Sequence, residues 1–153
     1  ENTEHKRIAA AAVLRMYVDS LQAQGLNTKI LILGDFNDEP TDRSLAEVLK
    51  SCKLEEDVRP AQLYNLSFHD YRRGLGTLVY KEIDNTWFMF DQIIATGTLL
   101  EGKGLICKNK QSMIFKSPWL MRDNKPSRTY QGPIYLGGYS DHLPIFIDLY
   151  DIE

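Results

Sequence analysis

The sequence has few cysteines, no long hydrophobic run and no excess of positive charge. Cys52 and Cys107 are its only cysteines, so one disulfide is the most it can form, and no close spacing suggests a metal knot. No stretch approaches the ~20 apolar residues of a membrane-spanning helix. The formal net charge of -3 argues weakly against a dedicated nucleic-acid-binding protein. These shortages exclude a disulfide-rich scaffold and a membrane span, and they leave the localisation unknown.

The charged residues are unevenly distributed. Between Lys103 and Arg128 the chain has seven basic residues and a single acid, Asp123. This segment is open to two interpretations, a surface that faces a phosphate or a solvated basic loop.

The chain has the composition of an ordinary globular protein, with 43% hydrophobic and 25% charged residues among 153. A length of this order suits one domain, which we place over residues 1–153, and neither a repeat nor a linker divides it. Apolar spacing at Ala10, Val13, Leu14, Tyr17 and Leu21 predicts a helix over residues 4–24, with Gly25 as its C-cap.

Helices and strands alternate in the remainder of the chain. The apolar run 29–33 predicts a strand buried on both faces, and a polar loop then leads to a helix ending near Lys50. Residues 54–76 are poorly patterned, and residues 116–138 form a long connection. Further strands are predicted at 77–80, 87–96, 105–108, 113–115 and 145–149. This order indicates a layered α/β fold with a mixed sheet packed with helices.

Two groups of polar residues stand beside predicted strands. Asp35 and Asn37 directly follow the strand 29–33, where a carboxylate on a rigid base could orient water or bind a metal. The alternative is a simple turn, since Gly-Asp and Asn-Asp are common turn sequences. Asp141 and His142 form the second group, which lies just before the last predicted strand.

Asp91 lies inside an apolar run, where an acid is costly to bury unless it is paired. His142 is a candidate partner, because a carboxylate that accepts from one imidazole nitrogen leaves the other free for chemistry. An exposed strand face would also account for Asp91. Ser140 lies too close to His142, and lacks the strand-turn-helix context, to act as a hydrolase nucleophile.

The three motifs together resemble the endonuclease/exonuclease/phosphatase superfamily, the deoxyribonuclease I-like hydrolases. That family carries Gly-Asp-Phe/Leu-Asn after a strand, an isolated Asp on a later strand and a terminal Ser-Asp-His-x-Pro. Residues 33–37 here read Leu-Gly-Asp-Phe-Asn, residues 90–93 read Phe-Asp-Gln-Ile, and residues 140–144 read Ser-Asp-His-Leu-Pro. The resemblance covers essentially the whole chain and implies the C-terminal half of a four-layered α/β sandwich.

The resemblance also implies a role for each residue. The aspartate matching Asp35 orients or deprotonates the attacking water and, with the one matching Asp141, holds a divalent metal. The residue matching Asn37 supports the phosphate and the transition state. The histidine matching His142 contacts the scissile phosphate, and the aspartate matching Asp91 orients it. The implied cofactor is Mg2+, with Mn2+ or Ca2+ as alternatives, since hard cations prefer oxygen ligands.

Several features of the family are missing from the sequence. The early Asn, the metal-binding Glu and the upstream Asn-His or Thr-His motif have no counterpart, and neither Glu1 nor Glu4 is placed like that Glu. We therefore expect an absent N-terminal half, weak or no activity of this chain alone, and association with that half or with a second copy.

The predicted function is a metal-dependent phosphodiesterase or phosphomonoesterase, and the alternative is a catalytically silent phosphate- or protein-binding module of the same fold. The family's range leaves three substrate classes open, namely nucleic acid, inositol phosphate and phospholipid head group. Aromatic residues near the last motif could stack on a base, although packing is the favoured interpretation. They are Trp119, Tyr130, Tyr135 and Tyr139.

Overall fold

The long N-terminal helix packs on the sheet through a narrow stripe of its surface. A computed structural model describes residues 3–25, 27–53, 57–80 and 86–153. Helix α1 (Glu4–Gln22) begins at the predicted residue and ends before Gly25, with Ala23 as its C-cap. Ala11 and Val18 are buried, whereas Val13 and Tyr17 are 68% and 64% exposed. The apolar spacing predicted the helix correctly, but Val13 and Tyr17 lie off its packed face, because an alanine-rich helix offers more than one apolar stripe.

The described residues form short strands and a few short helices after α1. The strands are β1 (Leu31–Asp35), β2 (Ser51–Cys52), β3 (Leu63–Asn65), β4 (Leu78–Tyr80), β5 (Thr86–Phe88), β6 (Asp91–Thr96), β7 (Gly104–Ile106), β8 (Met113–Ile114), β9 (Met121–Arg122), β10 (Lys125–Pro126), β11 (Tyr130–Gln131), β12 (Ile134–Tyr135), β13 (Ile145–Phe146) and β14 (Tyr150–Ile152). The helices are a π-helix (Ser44–Val48), α2 (Phe68–Arg72) and two 3-10 turns, Gly97–Leu99 and Pro118–Leu120.

A four-stranded mixed sheet forms the centre, in the order β1-β6-β3-β2. Strands β1 and β3 run antiparallel to β6, and β2 runs parallel to β3. Because successive side chains of β6 point to opposite faces, Ile93 and Ile94 enter two different apolar clusters. The cluster below α1 contains Ala11, Val18, Ile30, Leu45, Leu49, Leu63 and Ile94. The cluster on the other face contains Tyr64, Leu66, Ile93, Ala95, Leu99, Leu100 and Cys107. The fold is thus mixed α/β, as predicted.

Strand β1 differs from the prediction of a strand buried on both faces. Among the described strands it pairs with β6 alone, and Leu33 is 65% exposed. Ile30 is buried against α1, whereas Leu31 and Ile32 are half-buried. A continuous apolar run is typical of a central strand, but β1 is an edge strand in this part of the fold.

Other elements also depart from the sequence prediction. The predicted second helix is only the π-helix. The final strand is interrupted, so that β13 pairs with β8 and β14 pairs with β7. The poorly patterned middle contains β3, which was not predicted, while residues 54–56 lie outside the described part. The long connection 116–138 folds into two hairpins, β9–β10 and β11–β12.

Two negative features of the sequence can be compared with the structure. Cys52 and Cys107 form no disulfide. Within the described ranges, no helix is both long and apolar enough to cross a bilayer.

Candidate active site

Asp35 and Asp91 lie opposite each other at one end of the central sheet. Strands β1 and β6 pair in a register that places Asp35 against Asp91, and the backbone N–H of Phe36 donates to the carbonyl of Phe90 at 2.9 Å. Directly opposed residues project from the same face of an antiparallel pair. The register therefore brings together two carboxylates that are far apart in sequence.

The loop after β1 is an Asx turn that fixes Asp35 and Asn37 relative to each other. The backbone N–H of Asn37 donates to Asp35 Oδ1 at 2.8 Å, and its side-chain amide lies 3.4 Å from Oδ2. Asn37 has a φ of +51°, a conformation that asparagine tolerates better than most residues. Gly34 has a φ of +152°, which residues with a Cβ rarely adopt. The turn that the sequence offered as an alternative is present, and it holds both side chains near the sheet edge.

The buried carboxylate of Asp38 anchors this loop to two helical segments. Asp38 is 3% exposed, its Oδ1 lies 2.7 Å from Nε of Arg7, and its Oδ2 accepts from the Ser44 hydroxyl at 2.5 Å. A buried carboxylate needs such partners, because an unpaired one is costly. Helix α1 and the π-helix are thereby tied to the segment that carries Asn37.

The side chain of Gln92 anchors the same loop from β6. Its amide donates to the carbonyl of Asp38 at 2.6 Å and to that of Met89 at 2.7 Å, and its Oε1 accepts from Asn65 at 2.6 Å. Gln92 is fully buried, so each of these polar groups would otherwise lack a partner inside the protein. The network is fully internal and rigidifies the loop on which Asn37 lies.

Asp91 is paired rather than exposed. Its Oδ2 lies 2.6 Å from Nδ1 of His142 and accepts from the hydroxyl of Thr77 at 2.5 Å. The side chains of His142 and Asp91 are 24% and 20% exposed. With Nδ1 engaged, Nε2 is the ring nitrogen left for a ligand. The pairing of Asp91 with His142 that the sequence suggested is therefore present.

The segment around His142 is held against β4 by backbone contacts. The backbone N–H of Leu143 donates to the carbonyl of Thr77 at 2.9 Å, and Leu78 forms a single antiparallel bridge with His142. The N–H of His142 itself donates to the Ser140 hydroxyl at 3.0 Å. Thr77 thus supports the site twice, through its side chain on Asp91 and through its carbonyl on the chain after His142.

Three carboxylates act on the charge of the imidazole. The hydrogen bond to Asp91 raises the pKa of His142 above its ordinary value, while desolvation by burial lowers it. The negative charges of Asp91, Asp35 and Asp141 raise the pKa further. An imidazolium between carboxylates offers a positively charged donor at the sheet edge, which suits binding of an anionic oxygen.

Comparison with protein-family models identifies the family of the chain. The model of the "Endonuclease/Exonuclease/phosphatase family" matches residues 1–151. The chain belongs to the endonuclease/exonuclease/phosphatase family. The resemblance drawn from its motifs is thereby confirmed at the level of the family. Searches of curated proteins and of solved structures gave no significant match.

The divalent metal that this family implies has suitable donor atoms here, although few of them. Asp35 and Asp141 both lie close enough to act on His142, and their oxygens are the ligands that Mg2+ prefers. Within the described ranges, no three His, Cys, Asp or Glu side chains form a metal-binding group. Mg2+ is commonly held by one or two carboxylates together with water and substrate phosphates, so this donor set fits it. Arg128, whose Nε lies 3.7 Å from Asp141 Oδ2, supplies a cation beside the same carboxylate.

Sequence reasoning found the candidate site residues and missed those that hold them in place. The structure groups Asp35, Asn37, Asp91 and His142 around one sheet edge, with Asp141 beside them, whereas their chemical roles stay predictions. Thr77, Gln92 and Asn65 were not identified. An amide next to Asp91 in an apolar run was the one available signal, since a buried Gln also needs partners.

The aromatic residues near the last motif are exposed at the surface, where they pack against one another and not into the core. Trp119, Tyr130, Tyr135 and Tyr139 are each more than half exposed, between 56% and 69%. They contact one another instead, since the rings of Trp119 and Tyr139 lie 5.2 Å apart and those of Tyr130 and Tyr135 5.3 Å apart. The hairpin β11–β12 is too short to cover its own side chains.

Proposed function

We propose that this chain carries the reacting groups of a divalent-metal-dependent phosphoester hydrolase. Family membership indicates phosphoester hydrolase-type chemistry in general. The observation that carries the proposal is the contact of His142 with Asp91, with Asp35 directly opposite Asp91. Hydrolysis at phosphorus needs a base for water and a donor for the phosphoryl oxygens, and this arrangement supplies both.

Asp35 is the group we assign to the nucleophile. It ends a strand on a rigid sheet edge, is exposed, and is oriented by Asn37. In the proposed reaction a water oxygen bonds to phosphorus while the bond from phosphorus to the leaving oxygen breaks, and the leaving oxygen keeps the electron pair and takes up a proton from solvent. The carboxylate of Asp35 orients the water and accepts its proton.

His142 and Asn37 are the groups we assign to the phosphate. Asp91 holds Nδ1, so a protonated His142 points Nε2–H at a phosphoryl oxygen and offsets its negative charge. The side-chain amide of Asn37 supplies a neutral donor from the loop after β1. Thr77 fixes Asp91, which holds His142, and Gln92 fixes the loop of Asn37. Neither His142 nor Asn37 therefore needs to reorganise during the reaction.

The cofactor in this proposal is Mg2+, with Mn2+ or Ca2+ as alternatives. Asp141 and Asp35 would hold the ion. When bound, a divalent cation polarises the phosphoryl group and compensates its charge.

The alternative is a catalytically silent module that grips a phosphate or a protein. Such a module has no need for a base at Asp35 opposite the pair of Asp91 and His142, which favours the hydrolase. We also propose that the mixed sheet belongs to a four-layered α/β sandwich, as the sequence resemblance implies.

A substrate panel tests the proposal. It contains aryl phosphodiester and monoester, plasmid and abasic DNA, RNA, inositol phosphates and sphingomyelin, each with Mg2+ and with a chelator. The panel is run on this chain and, where the natural protein is longer, on that protein as well. His142→Ala is compared with His69→Ala, a matched change at a histidine whose side chain is 54% exposed on α2.

We expect turnover of one substrate class that stops with chelator and with His142→Ala and persists in His69→Ala. Turnover that survives His142→Ala would reject this site. No turnover by either protein, with both correctly folded, would favour the silent module.

A further inference from the structure

Asp141, to which the proposed function assigns a metal ion, already has a cation beside it. Its Oδ2 lies 3.7 Å from Nε of Arg128, and the side chains of Arg128 and Asp141 are 36% and 48% exposed. Both side chains line one cavity of about 150 Å3. Small ions can therefore reach the pair from solvent, and a cation that binds Asp141 has to approach a guanidinium group.

The segment that carries Arg128 is fixed to the segment that leads to Asp141. The backbone N–H of Gly138 donates to the carbonyl of Arg128 at 3.1 Å, and the hydroxyl of Thr129 donates to the carbonyl of Tyr139 at 2.8 Å. A Cβ at Gly138 would collide with the carbonyl of Arg128, so the two segments approach as closely as backbone allows. The backbone thus places the base of the Arg128 side chain close to Asp141.

This neighbour opposes the binding of a divalent cation to Asp141 in two ways. The guanidinium group offsets the negative charge that would attract the ion, and it also repels the ion directly. An arginine side chain is always charged in proteins, so the opposition does not depend on pH. The effect matters here because the proposed ligand set has only two carboxylates, Asp35 and Asp141, and a hard cation depends on such ligands.

We propose that Arg128 is an inhibitory counter-ion of Asp141, which competes with the divalent cation for this carboxylate and lowers the metal affinity of the site. The inference rests on the proposed function, since it takes Asp141 to be a metal ligand. It also makes the metal affinity depend on ionic strength in a defined way. Because both side chains are partly exposed, salt screens the opposition of Arg128, so the loss of its charge has its largest effect at low salt.

Metal titration without substrate tests the proposal and requires no turnover. The probe is Mn2+ alone, and the EPR signal of the free ion measures how much is bound. The proteins are the unmodified chain, Arg128→Gln, Arg128→Lys and Arg73→Gln, and, where the natural protein is longer, the same variants of that protein. Arg73 is the matched control, because its Nη1 also lies 3.7 Å from a carboxylate oxygen, that of Asp70 at the other histidine-bearing segment, α2. Arg128→Gln is also combined with Asp141→Asn.

We expect Arg128→Gln to bind Mn2+ about threefold to tenfold more tightly than the unmodified chain at low salt, because an exposed ion pair contributes modestly and the ion carries two charges. The gain should shrink at about 1 M salt, where the Debye length is only about 3 Å. Arg128→Lys keeps the charge and should bind like the unmodified chain, as should Arg73→Gln. In proteins that carry Asp141→Asn, most of the gain should disappear.

Four results would overturn the counter-ion role. Unchanged affinity in Arg128→Gln would do so and would leave the proposed function intact. Weaker binding in Arg128→Gln would do the same, since Arg128 would then support the metal site. An equal gain in Arg73→Gln, or a gain of full size in proteins with Asp141→Asn, would reduce the effect to general charge. Absence of Mn2+ binding in all the proteins would overturn both this proposal and the proposed function.

Discussion

Asp35 and Asp91 are direct cross-strand neighbours, so two carboxylates stand side by side at the end of β1 and β6. Like charges in this position repel each other. The imidazole of His142, hydrogen-bonded to Asp91 at 2.6 Å, compensates that repulsion when it is protonated. The protonation state of His142 therefore affects both the stability of this end of the sheet and its proposed chemistry.

The first prediction concerns the pKa of His142. We expect it to lie above 6.5, chiefly because of the hydrogen bond to Asp91, and we expect Asp91→Asn to lower it. NMR titration of the ring nitrogens in metal-free buffer measures both values. Asp19→Asn is the matched control, since Asp19 is paired with Arg15 on α1 and lies outside the site. An unchanged pKa in Asp91→Asn would contradict the electrostatic account.

The second prediction concerns stability against pH. Because the folded-state pKa of His142 is raised, its protonation favours the folded state. This contribution is fully present below the unfolded pKa of about 6.5 and is lost as the pH rises through the folded value. The difference in unfolding free energy between the unmodified chain and His142→Gln should thus be larger at pH 5.5 than at pH 9. Urea unfolding without metal measures it, and a difference that grows with pH would have the wrong sign.

The third prediction concerns Thr77, which is fully buried and donates to Asp91. Thr77→Val removes the hydroxyl but keeps the shape, so Asp91 loses a donor in a partly buried setting. We expect a loss of about 1–3 kcal/mol in unfolding free energy. Thr77→Ser keeps the hydroxyl and should lose less. Equal losses in the two variants would show that packing, not the hydrogen bond, is the contribution of Thr77.

The fourth prediction concerns Gln92. Gln92→Leu would leave the carbonyls of Asp38 and Met89 and the amide of Asn65 without their partner. We expect a loss of at least about 2 kcal/mol and faster amide hydrogen exchange in the loop of Asn37. Gln131→Leu, at an exposed strand residue, is the control. A loss no greater than that of Gln131→Leu would remove Gln92 from the support of the site.

Local sequence patterns predicted which residues of the site lie at the ends of strands. Asp35 and Asn37 come after an apolar run and His142 comes before one, so their places at strand ends could be inferred from periodicity alone. The partnership of Asp91 with His142 followed from the cost of an unpaired acid. These inferences needed only the local sequence around each residue and general energetics.

The remaining features depend on residues distant in sequence. Nothing near Thr77 or Gln92 indicates which partner each will meet, because those contacts are made only when the strands pair. The burial predicted for Leu33 was also wrong, since its side chain is exposed. An apolar side chain does not reveal whether another segment covers it. Likewise the run 145–149 was predicted as one strand, but only Ile145–Phe146 is a strand, paired with β8, and the next strand begins at Tyr150 and pairs with β7.

The central claim is that Asp35 and His142 act on a phosphoester at this sheet edge. The most direct measurement is the Mg2+-dependent hydrolysis rate of Asp35→Asn on the best substrate of the panel, in the full natural polypeptide. Asp57→Asn, at an exposed aspartate outside the site, is the control. The account predicts a loss of about 100-fold or more for Asp35→Asn and none for Asp57→Asn, in proteins of equal stability. A rate for Asp35→Asn within about threefold of the unmodified protein would be inconsistent with the loss expected of a general base and would contradict the account.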